Sequence, residues 1–563
     1  MQSIIRFLSG EVPGGIFFLL TICGVILFIA YYLHKHSEII NKRKLRNATF
    51  ALIGFLCLTY TIVRLARPPQ PIQIHVAIFP FEFHNNGEPT GSHRVHPYQG
   101  LGWGLAEMVS RAGELQSPSH LTFLRPEWIT GSFGEDSTAK FSQLDSSKLL
   151  AWANLLGIDY VAAGSFTING QNARFDIQVY DAMEHEILQS VQYDLPLTAE
   201  LTERAEEHAT ALAKFFYDET SNKFILPVAG NDIYKTSAFV PYSRGQYLMS
   251  LYEYDESLTA FQEALKSDSN SVLAWYGTGL AYGELMTRAA DDQLRKNFQV
   301  RMEYHLKRAG QLDEKFEPAY SALADFYMSV KPEPRYLDAE FALIAAHTLY
   351  ERDYLIYDLL SYMQKIRWES FDLKTKEEIL KKAIAANPAS FYSYLALGKY
   401  YIDQSRPNDH FSQLALNNFL IAQKLRPNDI DATLGLVTAY DHLNYFDPAI
   451  ALLNRAAQIY PDHPEVFYSL GILHFHVAGK YKAKKQTREE FAQYPTAEMY
   501  FKKAIQIKNY PYAYLYLGKI YEVQNKRDDA IAAFRAAMKL LDRDDPYREE
   551  ARKKLREYFP DIE

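Results

Sequence analysis

The chain has 563 residues, 48% of them apolar and 23% charged, which is ordinary globular composition and enough for roughly three or four domains of about 150 residues. The net charge is −8, yet residues 1–68 hold eight Lys/Arg against Glu11 and Glu38, leaving −14 on the other 495 residues. So acidic a body lacks the basic footprint that nucleic-acid binding needs. Both cysteines, Cys23 and Cys57, lie in apolar runs near the amino terminus, so the remainder can form neither a disulfide nor a thiolate metal site.

Residues 14–33 carry no charge, and 20 residues at about 1.5 Å each cover a hydrocarbon layer of about 30 Å. A second apolar run, 48–63, is shorter, but Arg64 and Arg67 follow it and can reach an interface. The pattern predicts a two-helix transmembrane hairpin over 1–67, in contact with lipid through residues 14–66. A cleaved signal peptide fits less well, because Arg6 is the only basic residue before the first run and no small-residue cleavage site follows it. Lys35, Lys42, Arg43, Lys44 and Arg46 place the intervening loop in the cytoplasm by the positive-inside rule. The bulk of the chain is then expected in the periplasm of an inner-membrane protein, with a bulk in the cytoplasm as the alternative. Pro68, Pro69 and Pro71 make 68–71 a stiff spacer.

Residues 72–220 read as a small α/β domain. The run 72–83 is β-branched and aromatic and predicts one buried strand. A helix from Tyr98 to Ala112, a strand at His120–Leu124, a helix at Ser146–Leu156 and a strand at Tyr160–Thr167 follow. Two alternating segments joined near Met183, Glu184 and His185 form further strands, and a helix from Ala199 to Phe216 closes the order βαβαβββα. The words VAIFPFE, GLGWGLAEMV, LLGIDYVAAGSF and FDIQVYDAMEHEIL resemble the amino-terminal domain of the periplasmic TolB proteins. That resemblance implies a non-enzymatic module found beside tetratricopeptide repeats. Gly100, Gly102 and Gly104 fit no phosphate-loop spacing and read as a helix start packed closely on the sheet. His84, His93 and His96 have no carboxylate or cysteine at ligand spacing and read as a solvated loop.

From 221 to 563 a 34-residue period appears. Gly245, Tyr254, Phe261 and Ala264 mark one unit. Tyr394, Leu397, Gly398, Tyr401, Ala415, Phe419 and Ala422 mark a clearer one, and Tyr514, Leu517, Gly518, Tyr521, Ala530, Phe534 and Ala537 mark the last. This order of small and aromatic positions resembles the tetratricopeptide repeat, which implies a solenoid of helix pairs. The stretch 330–387 is atypical, and an insertion near 477–490 brings Lys480, Lys482, Lys484, Lys485 and Arg488, read as a solvated charge run rather than a site for an acidic partner.

The expected fold class is therefore α+β overall and mainly α: transmembrane helical hairpin, small α/β domain, tetratricopeptide-repeat α-solenoid. No GxSxG, HExxH or fixed carboxylate pair is present, so no catalytic residue, metal or cofactor is assigned and the chain is not expected to be an enzyme. Resemblance to peptide-binding repeats implies a groove lined by the second, fifth and ninth positions of first helices. Here those include Tyr392, Lys399, Asp431, Thr438, Tyr468, Tyr512, Leu515 and Lys519. The expected function is a membrane-anchored scaffold or accessory subunit that docks other proteins, those of a membrane or envelope complex. A cytosolic-facing signalling component with the same fold is the alternative.

Overall fold

The computed structural model divides the chain into two compact units, Met1–Gln73 and Ile74–Glu563. The described residues are 73–84, 96–114, 121–133, 146–220, 232–234, 236–330, 333–351, 353–407 and 409–558. Among them no helix is long and apolar enough to cross a membrane. The expected fold class is corrected accordingly: the described architecture is a small sheet domain joined to helical repeats, without a transmembrane hairpin. The apolar runs 14–33 and 48–63, on which the hairpin expectation rested, lie outside the described residues, as does His93.

The α/β domain is built on strands β1 (Ile74–Ile78), β2 (Glu82–Phe83), β3 (Leu121–Leu124), β4 (Tyr160–Asn169), β5 (Asn172–Asp181) and β6 (Glu186–Pro196). They form one sheet in the order β3-β1-β4-β5-β6, with β2 alongside β4. β1 runs parallel to both β3 and β4, while β4, β5 and β6 form an antiparallel meander. The single strand expected over 72–83 is broken at Phe79–Phe81. Pro80 has no N–H to give the ladder, and Phe81 N–H instead donates to Gly102 O at 3.3 Å. The β4–β5 turn uses Gly170 at φ 65, and the β5–β6 turn places His185 at φ 61 while Asp181 Oδ1 accepts from the N–H groups of Met183 and Glu184.

Helices α1 (Leu101–Glu114) and α4 (Leu201–Glu219) cover one face of the sheet, and α2 (Pro126–Phe133) and α3 (Ser146–Leu156) the other. α2 was not expected from the sequence, although Pro126 at its first position and Glu127 in its first turn are ordinary helix-start residues. Along β1, Val76 and Ile78 enter the first core while Ala77 and Phe79 enter the second, the period-2 alternation of a strand buried on both sides.

The repeats follow as eight helix pairs among the described residues: α5–α6 (Phe239–Ser250, Tyr254–Ser267), α7–α8 (Val272–Arg288, Asp292–Leu312), α9–α10 (Glu317–Ser329, Tyr336–Leu349) and α11–α12 (Tyr354–Tyr362, Lys376–Ala386), then α13–α14 (Phe391–Gln404, His410–Leu425), α15–α16 (Ile430–His442, Phe446–Ile459), α17–α18 (Pro464–Ala483, Thr487–Lys508) and α19–α20 (Pro511–Val523, Arg527–Leu540). A further helix, α21 (Pro546–Tyr558), follows them. Ser271, Asp353, Ser390, Asp409 and Asp429 cap the helices they precede, each accepting from a first-turn N–H. The diagnostic glycines meet the diagnostic phenylalanines. A Cβ on Gly245 or on Gly277 would lie 2.4 Å from the Phe261 ring, and one on Gly398 or Gly435 would press on Phe419 in the same way. Each ring is thus a wedge between the first helix of its own unit and that of the next, and no side chain larger than hydrogen fits opposite it.

The atypical stretch holds the nine-residue helix α11 and a 3-10 segment at Lys365–Phe371 between α11 and α12. The insertion forms no loop. It lengthens α17 and α18 to 20 and 22 residues, which meet in a tight turn with Lys485 at φ 59.

Candidate protein-docking groove

First helices line the inner face of such an array, and over its first half that face is filled by the chain's own α/β domain. A Cβ on Gly100 would fall 2.2 Å from Ser243 O, and one on Gly104 2.2 Å from Ser243 Oγ, so α1 lies directly on α5. Gly102 approaches Phe81 O on the other side. The glycines therefore serve packing, as expected, but against the repeats as well as the sheet. Farther along, Trp128 of α2 meets Tyr354 of α11 edge-on at 5.1 Å, and His75 Nε2 lies 2.8 Å from Ala385 O. One apolar core runs from Val76 and Leu105 to Tyr242 and Phe261, and another from Phe79 and Trp152 to Phe391 and Tyr394.

Buried charge joins the two parts. Arg125, at the end of β3, donates from Nε to Glu114 Oε1 at 2.8 Å and from Nη2 to Glu317 Oε2 at 2.9 Å, with Asp353 Oδ2 3.7 Å from Nη1. Its guanidinium also lies 4.8 Å from the Trp128 ring and 5.6 Å from that of Tyr350. Ser321 Oγ bonds Glu317 and Asp353, tying the acceptors together. Burial pushes the Glu317 carboxyl well up, and the nearby charge of Asp353 adds to it. Burial alone would lower Arg125, but Glu114, Glu317 and Asp353 outweigh it and hold the guanidinium charged. Nearby, Glu107 of α1 accepts from Tyr234 Oη and Tyr242 Oη at 3.0 to 3.1 Å. Burial pushes its pKa up to about 7, and that of Glu127 up to about 8. Nothing in the local sequence marks Arg125, because its partners lie up to 228 positions away.

Beyond Phe391 the first helices carry exposed or half-exposed side chains among the described residues, and here most of the expected groove residues fall. Tyr392 is 52% exposed, and its hydroxyl accepts from Arg426 Nη1 at 3.1 Å. Lys399 Nζ pairs with Asp431 Oδ2 at 3.0 Å, across two successive units. Thr438 Oγ1 donates to Leu434 O within its own helix at 2.9 Å. Lys519 Nζ reaches Glu550 Oε1 at 2.8 Å and lies over the Tyr516 ring at 4.3 Å. Tyr512 Oη donates to Asp545 Oδ2 at 3.0 Å. Leu515 is wholly buried at 0% exposure, packed with Ala530, Ile531 and Phe534, and offers no surface to a partner.

Tyr468 sits in a ladder of rings. Its centroid is 5.0 Å from Tyr510, 6.2 Å from Tyr512 and 6.0 Å from Tyr516. Phe475 adds an edge to Tyr516 at 5.4 Å, and Tyr547 to Tyr512 at 5.3 Å. Tyr516, Phe475 and Tyr547 fall outside the second, fifth and ninth positions of a unit, so that spacing does not name them. Beside the ladder, Asp441 Oδ2 pairs with His476 Nδ1 at 2.8 Å. Among the described residues no group of His, Cys, Asp and Glu is arranged to hold a metal ion; His96 instead stacks on Phe83 at 5.2 Å.

Two family models match parts of the chain: a tetratricopeptide repeat over residues 242–296 and "Regulator of microtubule dynamics protein 1-3" over residues 452–559. No curated protein sequence matches. Among solved structures, the human IFIT1 dimer with m7Gppp-AAAA is similar at 16% identity and a TM-score of 0.32, over 61% of this chain and 81% of that one. A monomeric IFIT1 mutant with Gppp-AAAA is similar at 15% identity and a TM-score of 0.32, over 61% and 80%. The repeat match at 242–296 falls on α5, α6 and α7, where Phe261 is wedged between Gly245 and Gly277, and the chain thus carries tetratricopeptide repeats.

Proposed function

We propose that the chain is a non-enzymatic scaffold that docks a partner protein on the open inner face between Phe391 and Tyr558. The observation that carries this reading is the contrast along the array. First helices up to Tyr354 are covered by the α/β domain through Trp128 and Arg125, whereas Tyr392, Tyr468, Tyr512 and Tyr547 remain at least partly accessible. Aromatic side chains that keep one face accessible are characteristic anchors of protein interfaces. The α/β domain is a cis-bound filler in this reading. Its resemblance to the TolB amino-terminal domain is supported by the words quoted above and by a βαβ start followed by a meander. Membership of a membrane or envelope complex is a separate proposal, supported only by the composition of residues 1–67; a reporter fused after Glu563 tests on which side of a membrane the bulk lies.

Photo-crosslinking in cells tests the docking face, with a benzophenone amino acid at Tyr392, Tyr468 or Tyr512 in the full chain. Partner adducts are expected at these positions and not at the exposed Phe341 or Met499. Equal or stronger adducts at Phe341 and Met499 would place docking elsewhere.

A further inference from the structure

Resting on that docking face, we infer that the ladder at its carboxy-terminal end takes an extended, proline-rich segment bearing Lys or Arg. Tyr468, Tyr512 and Tyr547 come from three successive inner helices and step at 6.2 and 5.3 Å, so the row spans no more than about 12 Å. A polyproline II helix repeats about every 9 Å, with three residues per turn. Two prolines one turn apart fit within that span, while Tyr510 and Tyr516 flank the row. Aromatic-lined grooves recognise this conformation because its rings present flat apolar faces and its backbone is already ordered before binding.

Charge selects the flanking residues. Glu465 lies in the first turn of α17, three positions before Tyr468, and after burial its charge is what pushes the Tyr510 hydroxyl up. Asp545 bonds Tyr512, and Asp542 also acts on it. Glu550 and Asp441 act on Tyr516. Glu465, Asp441, Asp542, Asp545 and Glu550 thus lie about the rings; Lys519 and His476 are held by Glu550 and Asp441, and Arg548 turns to Leu541 O. A segment with a cation beside its prolines gains from this excess and an acidic one is repelled.

The test uses purified full chain and fluorescence anisotropy with three labelled peptides: Arg-Pro-Leu-Pro-Pro-Lys-Pro, the same peptide with Glu for Arg and Lys, and an amphipathic Leu/Lys helix. The basic proline peptide should bind at least about tenfold more tightly than the acidic one, with the difference shrinking as salt rises. Tyr468→Ala and Tyr512→Ala should each weaken it about tenfold or more. Tyr512→Phe should retain binding, since the ring remains, and it separates lost stacking from misfolding. Glu465→Lys should weaken the basic proline peptide and strengthen the acidic one. If the helical peptide binds in a Tyr468-dependent way and the proline peptide does not, the inference falls while the docking face stands. If neither peptide binds while Tyr468 still crosslinks a partner, the inference also falls; loss of the crosslink as well removes both.

Discussion

Arg125 and Glu317 form a buried ion pair at 2.9 Å between residues 192 positions apart, one in the sheet domain and one in the third repeat. Removing Arg125 strips Glu114, Glu317 and Asp353 of their shared guanidinium, which costs about 3–5 kcal/mol. Arg125→Ala should therefore lower stability by that order in denaturant unfolding, and Glu317→Ala by less, because Glu114 still pairs with the guanidinium. The double variant Arg125→Met/Glu317→Gln should lose less than the sum of the two.

Glu107 gives the same interface a pH dependence. Its folded pKa lies above the unfolded value, so the stability it contributes is fully present below about pH 4.5 and is lost as pH rises through about 7. Glu107→Gln keeps an acceptor for Tyr234 and Tyr242 and removes the proton. Thermal midpoints of variant and native chain should be close at pH 5, and the variant should be the more stable at pH 8. Parallel curves over that range would show that Glu107 does not titrate there.

Gly102 offers a test of close approach. A Cβ there would stand 1.9 Å from Phe81 O, a backbone atom with nowhere to move. Gly102→Ala should destabilise the sheet domain by about 1–3 kcal/mol, measured by thermal unfolding. The same change at Gly479, where a Cβ meets nothing within 4 Å, should be neutral or slightly stabilising.

Phe419→Ala should cost about 3–5 kcal/mol, because the ring fills the space facing Gly398 and Gly435 in two units at once. Hydrogen exchange should quicken in α13, α14 and α15 together. Loss of protection confined to α14 would contradict a wedge shared between units.

These residues show what sequence can reveal. Phe419, Gly398 and Gly435 follow a fixed period, so their contacts repeat and can be read from spacing. Arg125 obeys no period, and its partners Glu317 and Asp353 become visible only when the chain is folded back on itself. The short helix α2 leaves little periodicity to read because eight residues make only about two turns, yet its Trp128 is a main contact with the repeats. Among the groove positions, the rule by unit position placed Tyr468 and Tyr512 in the ladder but also named Leu515, since α20 packs over that side of α19. Tyr547 lies beyond the rule because it falls on α21, after the last unit whose positions the period marks.

Helical arrays behave as springs, with each unit able to tilt slightly on its neighbour. Here the sheet domain is fastened to the coil at well-separated points, through Ser243, Glu317 and Ala385, so the turns between them share one rigid insert. Among the described residues the coil past Phe391 has no such insert. Stretching or twisting the array should first open the pitch between α13 and α21, and a partner seated among those tyrosines would fix the one part of the spring still free to breathe.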